Sequence, residues 1–499
     1  MNGPILVIDR STDRPLGVQL VEGLRRGILS GALRPGDPVP STRALASEVG
    51  VSRSAVVAAY EQLAGEGYLE MRQGAPTRVA ELAPGAHSDR EASNRRRLRV
   101  AAGGSRDMRR FDEAESARPA EPRIDLLPGR PSTARIDTRA WRAAWRHAAA
   151  LEIPSESPAD FGVQRLREEI ADHLRHARGV ACDAADVVVT AGTSEAVALV
   201  ASALLEIGGG QRNDDGGDDR RDDVTVAVEH PGYPSARRTI ERRGARTVPV
   251  PVDADGLRVD LLRRMPRPPH AVMVTPSHQY PLGGRLPVSV RLALLEWARE
   301  HRAVVIEDDY DSEFRHLGPP LPALASLDDG ASVVLVGSFS KVLTPWLRLG
   351  YLVLPANGAI REAVARVRAD ESSPVAGVVQ DAAAALLASG AVRRHIAVTR
   401  RDYAHRRRLV LEALDGIAGA PLSGLDGGLH AVVRLPGHAA SGTVVARLAA
   451  EGIAVAALGD YSAVPGDEEP GIVFGYAGPG DTLLVEALAR IRAAILDVT

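Results

Sequence analysis

The chain has 499 residues, is 45% apolar and 25% charged, and carries a formal net charge of −3. That is an ordinary globular composition with room for about three domains, and it excludes a polycation that would hold nucleic acid over its whole surface. A single cysteine, Cys182, excludes an intramolecular disulfide and a cysteine-built metal site. No apolar run is long enough for a membrane span, and the opening residues lack the charged-then-apolar plan of a secretory signal. A reducing cytoplasm is the expected location.

In chain order, residues 10–80 form the first module. Apolar residues Val18, Val21, Leu24, Ile28 and Leu29 fall at helical spacing between Leu16 and Leu29. Arg34 to Pro40 is turn chemistry, and Ser41 is placed to cap a short helix over Thr42–Val49. Gly50 makes a tight turn and Ser52 caps the next helix, from Arg53 to Ala64. Two short helices around a glycine turn predict a helix-turn-helix. Tyr68–Arg72 and Pro76–Ala80 then predict a two-stranded wing around Gln73 and Gly74. On this reading Ser52, Arg53 and Ser54 stand at the exposed start of the second helix, where base edges and phosphates are reached. Arg43, Arg72, Gln73 and Gly74 would hold the flanking backbone. Nine arginines face eight acids over residues 1–80, so charge leaves open a helical module that binds a protein instead.

The segments Gly31 to Ala46, Gly50-Val-Ser-Arg-Ser54 and Ala59 to Leu69 closely resemble the winged helix of the GntR family of bacterial regulators. The resemblance implies binding to a double-stranded DNA operator, with contacts from Arg43, Ser52, Arg53, Ser54 and Gly74. Residues 81–120 lack apolar periodicity and predict a flexible tether, with eight arginines between Arg90 and Arg110. They would add nonspecific phosphate affinity or have no role beyond solvation.

From residue 121 to 499 apolar strand-like runs alternate with helical stretches, which predicts an α/β sheet. The runs include Val187–Thr190, Val224–Val228, Ala271–Val274, Ala303–Ile306, Val333–Val336 and Gly350–Leu354. Lys341 follows one of them and is the only lysine in the chain; the other 60 of 61 basic residues are arginine. Arginine stays protonated, whereas a desolvated lysine amine loses its proton and attacks a carbonyl. A Schiff base with pyridoxal 5'-phosphate is therefore expected at Lys341. The amides of Gly192, Thr193 and Ser194 at a helix start, with Ser338 and Arg348, predict a phosphate cup. Asp308, at the carboxyl end of a strand, is placed to pair with a pyridinium nitrogen. Tyr310 is placed to bond the ring oxygen, and Tyr233 to stack on the ring. The alternatives are carboxylates around a divalent cation, and a Tyr233 that merely packs a turn; no metal is expected.

These motifs in this order resemble the aspartate-aminotransferase superfamily, fold type I of pyridoxal-phosphate enzymes. With the winged helix ahead they resemble the MocR/PdxR subfamily of regulators, on Thr275 to Gly283 and Glu307 to Arg315 above all. The resemblance implies a mostly parallel sheet flanked by helices with a smaller C-terminal subdomain, a domain-swapped homodimer, and an amine or amino-acid effector. It places the aldimine at Lys341 and the remaining roles as above. Three departures stand out. Val473 occupies the position where aminotransferases carry the arginine for the substrate carboxylate. Ser157 to Gly162 lacks the tyrosine that commonly precedes the matching glycine. Gly208 to Asp223 is an acidic insertion, expected to be a disordered surface loop. The expected function is a cofactor-dependent DNA-binding regulator; the alternatives are an aminotransferase with a DNA-binding appendage and a cofactor-free scaffold.

Overall fold

Successive side chains of a strand point to opposite faces of its sheet, and the body of this chain is built on that alternation. Val226 and Val228 join one apolar core, Ala227 the other; Met273 joins the first, Val272 and Val274 the second. Burial on both faces makes these strands continuous apolar runs, as a covered parallel sheet requires. The structure is a computed structural model that describes residues 16–29, 33, 36–65, 69–71, 76–80, 123–210, 224–316, 322–328, 332–356 and 358–499. The expected tether at 81–120 lies outside the described residues, as do Arg72, Gln73 and Gly74 of the expected wing. The chain divides into two units, Met1–Arg123 with Gly480–Glu486, and Ile124–Pro479 with Ala487–Thr499.

In the first unit, α1 (Leu16–Leu29), α2 (Thr42–Val49) and α3 (Arg53–Gly65) enclose one apolar core with Leu24, Leu45, Tyr60 and Leu63 at its centre. The Ser41 hydroxyl accepts from the Ala44 amide at 3.2 Å, and Gly50 ends α2 at φ 68°. Ser52 caps α3 by accepting from the Ala55 amide at 3.2 Å. Tyr60 donates to the Pro40 carbonyl at 2.7 Å, which ties α3 to the turn ahead of α2. Strands β1 (Leu69–Glu70) and β2 (Arg78–Val79) pair antiparallel. Residues 36–39 run along β2, with bonds from Val39 to Thr77 at 2.9 Å and from Val79 to Asp37 at 2.8 Å.

The second unit carries an eight-stranded sheet. Its strands are β3 (Val187–Thr190), β4 (Thr225–His230), β5 (Arg246–Asp253), β6 (Gly256–Leu257), β7 (Ala271–Val274), β8 (Val304–Asp309), β9 (Val333–Ser338) and β10 (Gly350–Val353), in the order β3-β10-β9-β8-β7-β4-β5-β6. The central pairs β9–β8, β8–β7, β7–β4 and β4–β5 are parallel; β10 runs antiparallel to both of its neighbours. Helices α4 (Thr193–Gly210) and α5 (Val288–His301) cover opposite faces. α4 extends to Gly210, so the first three residues of the expected disordered insertion are helical, carried on from an apolar helix packed on the core; residues 211–223 lie outside the described residues. A four-stranded antiparallel sheet, β11 (Leu422–Ser423), β12 (His430–Arg434), β13 (Ala456–Ala457) and β14 (Gly471–Gly475), forms the smaller subdomain in the order β11-β12-β14-β13.

Candidate functional site

β8 and β9 are parallel neighbours, and their carboxyl ends meet at one edge of the sheet, the edge where open α/β sheets bind ligands. The register sets Val336 beside Asp308 and Gly337 beside Asp309. β9 ends at Ser338, whose hydroxyl caps the short helix α6 (Phe339–Val342) by accepting from the Ser340 amide at 3.1 Å. That helix delivers Lys341. A cavity of about 230 Å³ opens there, and the sequence-predicted residues Gly192, Thr193, Ser194, Tyr233, Asp308, Tyr310, Ser338, Lys341 and Arg348 all line it.

Three successive acids on β8 have different fates, and alternation explains them. Glu307 accepts from the amides of Leu324 at 2.7 Å and Ala325 at 2.8 Å. Asp309 accepts from Arg178 Nε at 2.7 Å, both side chains buried. Asp308, on the opposite face, alone of the three lines the cavity. Its Oδ1 is buried and has no hydrogen-bond partner. Burial, then Asp309, Glu229 and Asp311, push its carboxyl up to about 8, against the pull of Lys341. Glu307 and Asp309 are thus held by donors away from the cavity, on the face opposite Asp308.

The Lys341 amine donates to the Gly129 carbonyl at 2.6 Å. Burial pushes its pKa down from the ordinary lysine value, while Asp311 and Asp308 pull it up. Gly129 has φ +85°, and a Cβ there would lie 2.5 Å from Lys341 Nζ. Only glycine takes this backbone and leaves room for the amine.

The opposite wall is the first turn of α4, where helical geometry leaves amide N–H groups without partners. Glu195 braces that turn: it accepts from the Ala191 amide at 3.1 Å and from Arg368 at 2.8 Å. Gly350 permits the close approach, since a Cβ on it would lie 2.9 Å from the Gly192 Cα. Arg348 is exposed and sits at φ 47°, after the Pro345–Leu347 turn. The ring of Tyr233 packs edge-on against Tyr280, centroids 5.9 Å apart, and burial pushes its hydroxyl pKa up. Tyr310 Oη lies 3.0 Å from His278 Nδ1, and Asp311 Oδ2 lies 2.8 Å from the same nitrogen.

Several lining residues had no role in the sequence reading: Gly129, Tyr280, Ser340 and His430. Tyr280 lies within the Thr275 to Gly283 motif, and an aromatic in that turn is the signal that points to it. Gly129 and His430 come from separate loop and strand starts, with no pattern to announce them. In the first unit Arg43, Ser52, Arg53 and Ser54 are all exposed. Ser52 Oγ lies 2.9 Å from Ser54 Oγ, so the two hydroxyls stand side by side at the start of α3. Gly74 lies outside the described residues.

Comparison with known proteins agrees on both units. Residues 130–467 match the family described as aminotransferase class I and II, and residues 16–79 the gntR family of bacterial regulatory proteins. The chain is 40% identical over 477 residues to the HTH-type pyridoxine biosynthesis transcriptional regulator PdxR of Corynebacterium glutamicum, covering 96% of this chain and 95% of that one. It is 33% identical to the probable rhizopine catabolism regulatory protein MocR of Rhizobium meliloti, covering 99% and 96%. Among solved structures, the Pyrococcus horikoshii kynurenine aminotransferase matches with TM-score 0.65 at 22% identity, covering 80% of this chain and 95% of that one. An archaeal alanine:glyoxylate aminotransferase matches with TM-score 0.67 at 22% identity, covering 79% and 95%. At that identity the likeness is one of fold.

Proposed function

The chain belongs to the MocR/PdxR-type regulators, a GntR-family winged helix joined to a class I and II aminotransferase domain of fold type I, and from that membership we propose that it is a transcription regulator whose response to DNA is set by pyridoxal phosphate held at Lys341. The observation that carries the reading is the single lysine of the chain, half-buried at the carboxyl edge of the sheet beside an acid with an unpartnered oxygen.

The residues present fit the group. Asp308 Oδ1 is a buried acceptor without a donor, which a ring N–H would satisfy. Tyr233 offers a flat face, and the first turn of α4 with Ser338 and Arg348 offers donors for a phosphate. When bound, pyridoxal phosphate supplies an aldehyde that primary amines capture and a ring that withdraws electrons while its nitrogen is protonated. Asp308 would hold that proton, Tyr310 would donate to the ring oxygen, and Lys341 would supply the amine.

Val473, where aminotransferases carry the substrate-binding arginine, is fully buried in an apolar cluster with Val432, Leu458 and Tyr461. An α-carboxylate therefore lacks a bidentate anchor at that position, which supports a regulator over efficient transamination; an amine effector needs no such anchor. Trp346 is 88% exposed, within two residues of the cavity wall at Pro345 and Arg348. A tryptophan left bare beside the cavity mouth is what a second copy of the chain would cover in a domain-swapped homodimer. Among the described residues no helix is long and apolar enough to cross a membrane; we place the protein in the bacterial cytoplasm with its DNA operator. The test is the visible spectrum of the protein titrated with pyridoxal phosphate, beside binding to its own upstream DNA. Colour without a change in DNA affinity would contradict the reading.

A further inference from the structure

Once the residues that fit the cofactor are set aside, the Lys341 cavity keeps a wall of its own. Pro128, Gly129, Pro345 and Leu429 line it, with the Ser340 hydroxyl and the rings of Tyr280 and His430. None of these is an acid, a lysine or an arginine. Among the described residues lining the cavity the lysine and arginine cations are Lys341 and Arg348, and the cofactor would use both. Arg130, next to Gly129, does not line it and is paired with Asp125 at 2.7 Å. Two carboxyls, Asp311 and Asp308, act on the Lys341 amine. A ligand carboxylate against this wall would meet acids and no guanidinium.

His430 gives the wall its bare acceptor. It is buried at the start of β12, edge-on to Tyr280 with ring centroids 5.1 Å apart. Its Nε2 donates to the Pro281 carbonyl at 2.8 Å. That bond puts the ring hydrogen on Nε2 and leaves Nδ1 an acceptor, with no hydrogen-bond partner among the described residues. Burial first, then the neighbouring His278, pushes the ring's pKa down to about 4, so near neutral pH Nδ1 keeps its lone pair. The other polar atoms of the wall already have partners. Ser340 Oγ accepts from Ser338 Oγ at 2.9 Å, and Tyr280 Oη lies 3.2 Å from Tyr461 Oη. A buried acceptor of this kind calls for a donor.

We propose that the effector received beside Lys341 is a primary amine whose far end carries a hydrogen-bond donor, a hydroxyl or a second amine, and no carboxylate, and that His430 Nδ1 accepts from that donor. The inference rests on the function proposed above for the capture of an amine, and adds what the amine's other end must be. Leu429 and the Tyr280 ring give its carbon chain an apolar surface. Val473 lies on β14, the strand paired with β12. One small sheet thus withdraws the carboxylate clamp at Val473 and supplies a neutral acceptor at His430.

The experiment is calorimetric titration of the cofactor-free full chain with reduced adducts of pyridoxal phosphate, made with butylamine, 4-aminobutan-1-ol, 1,4-diaminobutane and 4-aminobutanoate. The adducts share phosphate, ring and carbon chain, and need neither capture by Lys341 nor a DNA response. The hydroxyl or the second-amine adduct should bind about fivefold tighter than the butylamine adduct, the net effect of one hydrogen bond, and the tighter of the two identifies the donor. The 4-aminobutanoate adduct should bind most weakly. His430→Gln, which keeps a donor for Pro281 and removes Nδ1, and His430→Phe, which keeps a ring beside Tyr280, should each abolish the preference. A ratio of two adducts on one protein cancels the general loss of affinity that a merely structural His430 would show. Tightest binding of the 4-aminobutanoate adduct, as when Arg130 leaves Asp125 for it, would overturn the proposal. So would no preference in the parent, or one that persists in both variants. The expected order, with DNA binding indifferent to pyridoxal phosphate, would count against the response proposed above and for this ligand class. Failure of every adduct to bind would overturn both.

Discussion

The Lys341 amine donates to the Gly129 carbonyl at 2.6 Å, across 212 residues of chain. The bond holds a buried primary amine at a loop whose φ of +85° and lack of a side chain leave it just enough room. Gly129→Ala should therefore do two things. It should cost about 1 kcal/mol of stability from left-handed backbone alone, and it should weaken covalent capture of pyridoxal phosphate at least about tenfold by displacing the amine. Gly416→Ala is the control, with φ +75° and nothing within 4 Å of its Cβ. It should show the stability loss only, as measured by thermal unfolding and by absorbance titration.

Three buried acids, Asp308, Glu229 and Glu307, make stability depend on pH. Asp308 is pushed from its ordinary 3.8 to about 8, and Glu229 and Glu307 from 4.5 to about 7, burial being the first cause for each. Their folded values lie above the unfolded ones. Their contribution is thus full below about pH 4 and is lost as pH rises toward about 8. Asp308→Asn removes one of the three. Between those limits the cofactor-free Asp308→Asn protein should lose less stability than the parent, by on the order of a few kcal/mol. Parallel denaturant melts at several pH values read this directly; equal slopes would show that Asp308 does not titrate there.

Tyr233→Ala should weaken retention of pyridoxal phosphate by about tenfold, the worth of a stacked aromatic face. Dialysis followed by absorbance measures it. Unchanged retention would return Tyr233 to a packing role against Tyr280.

On the DNA side, Arg43 and Arg53 are exposed while Ser52 is already used as a cap. Arg43→Ala and Arg53→Ala should each weaken operator binding and lower the salt slope by about one. Ser52→Ala should act through stability, costing about 1 kcal/mol of α3 capping. Anisotropy titrations over a salt series, with melts alongside, separate the two effects.

Much of this is legible in the sequence. Lys341 stood out because an arginine-rich chain keeps one lysine, and Asp308 because an acid ends an apolar strand. Alternation was the rule that would have separated Asp308 from Glu307 and Asp309. Strand runs such as Val187–Thr190 and Ala271–Val274 were bounded as the structure bounds them, since burial on both faces leaves an unbroken apolar signature. Arg246–Asp253 was missed as a strand because its burial is mostly partial and two prolines interrupt it. Gly129, Tyr280 and His430 reach the cavity from three distant segments. No local pattern carries such a meeting; it is a product of the chain's topology.

The account turns on one amine, so the most direct measurement is a paired one on Lys341→Ala. The parent should bind pyridoxal phosphate with a visible absorbance band, and its affinity for its own upstream DNA should change as the band saturates. Lys341→Ala, folded by circular dichroism, should show neither the band nor the change in DNA affinity. A variant that still responds to pyridoxal phosphate in DNA binding as the parent does would contradict the account.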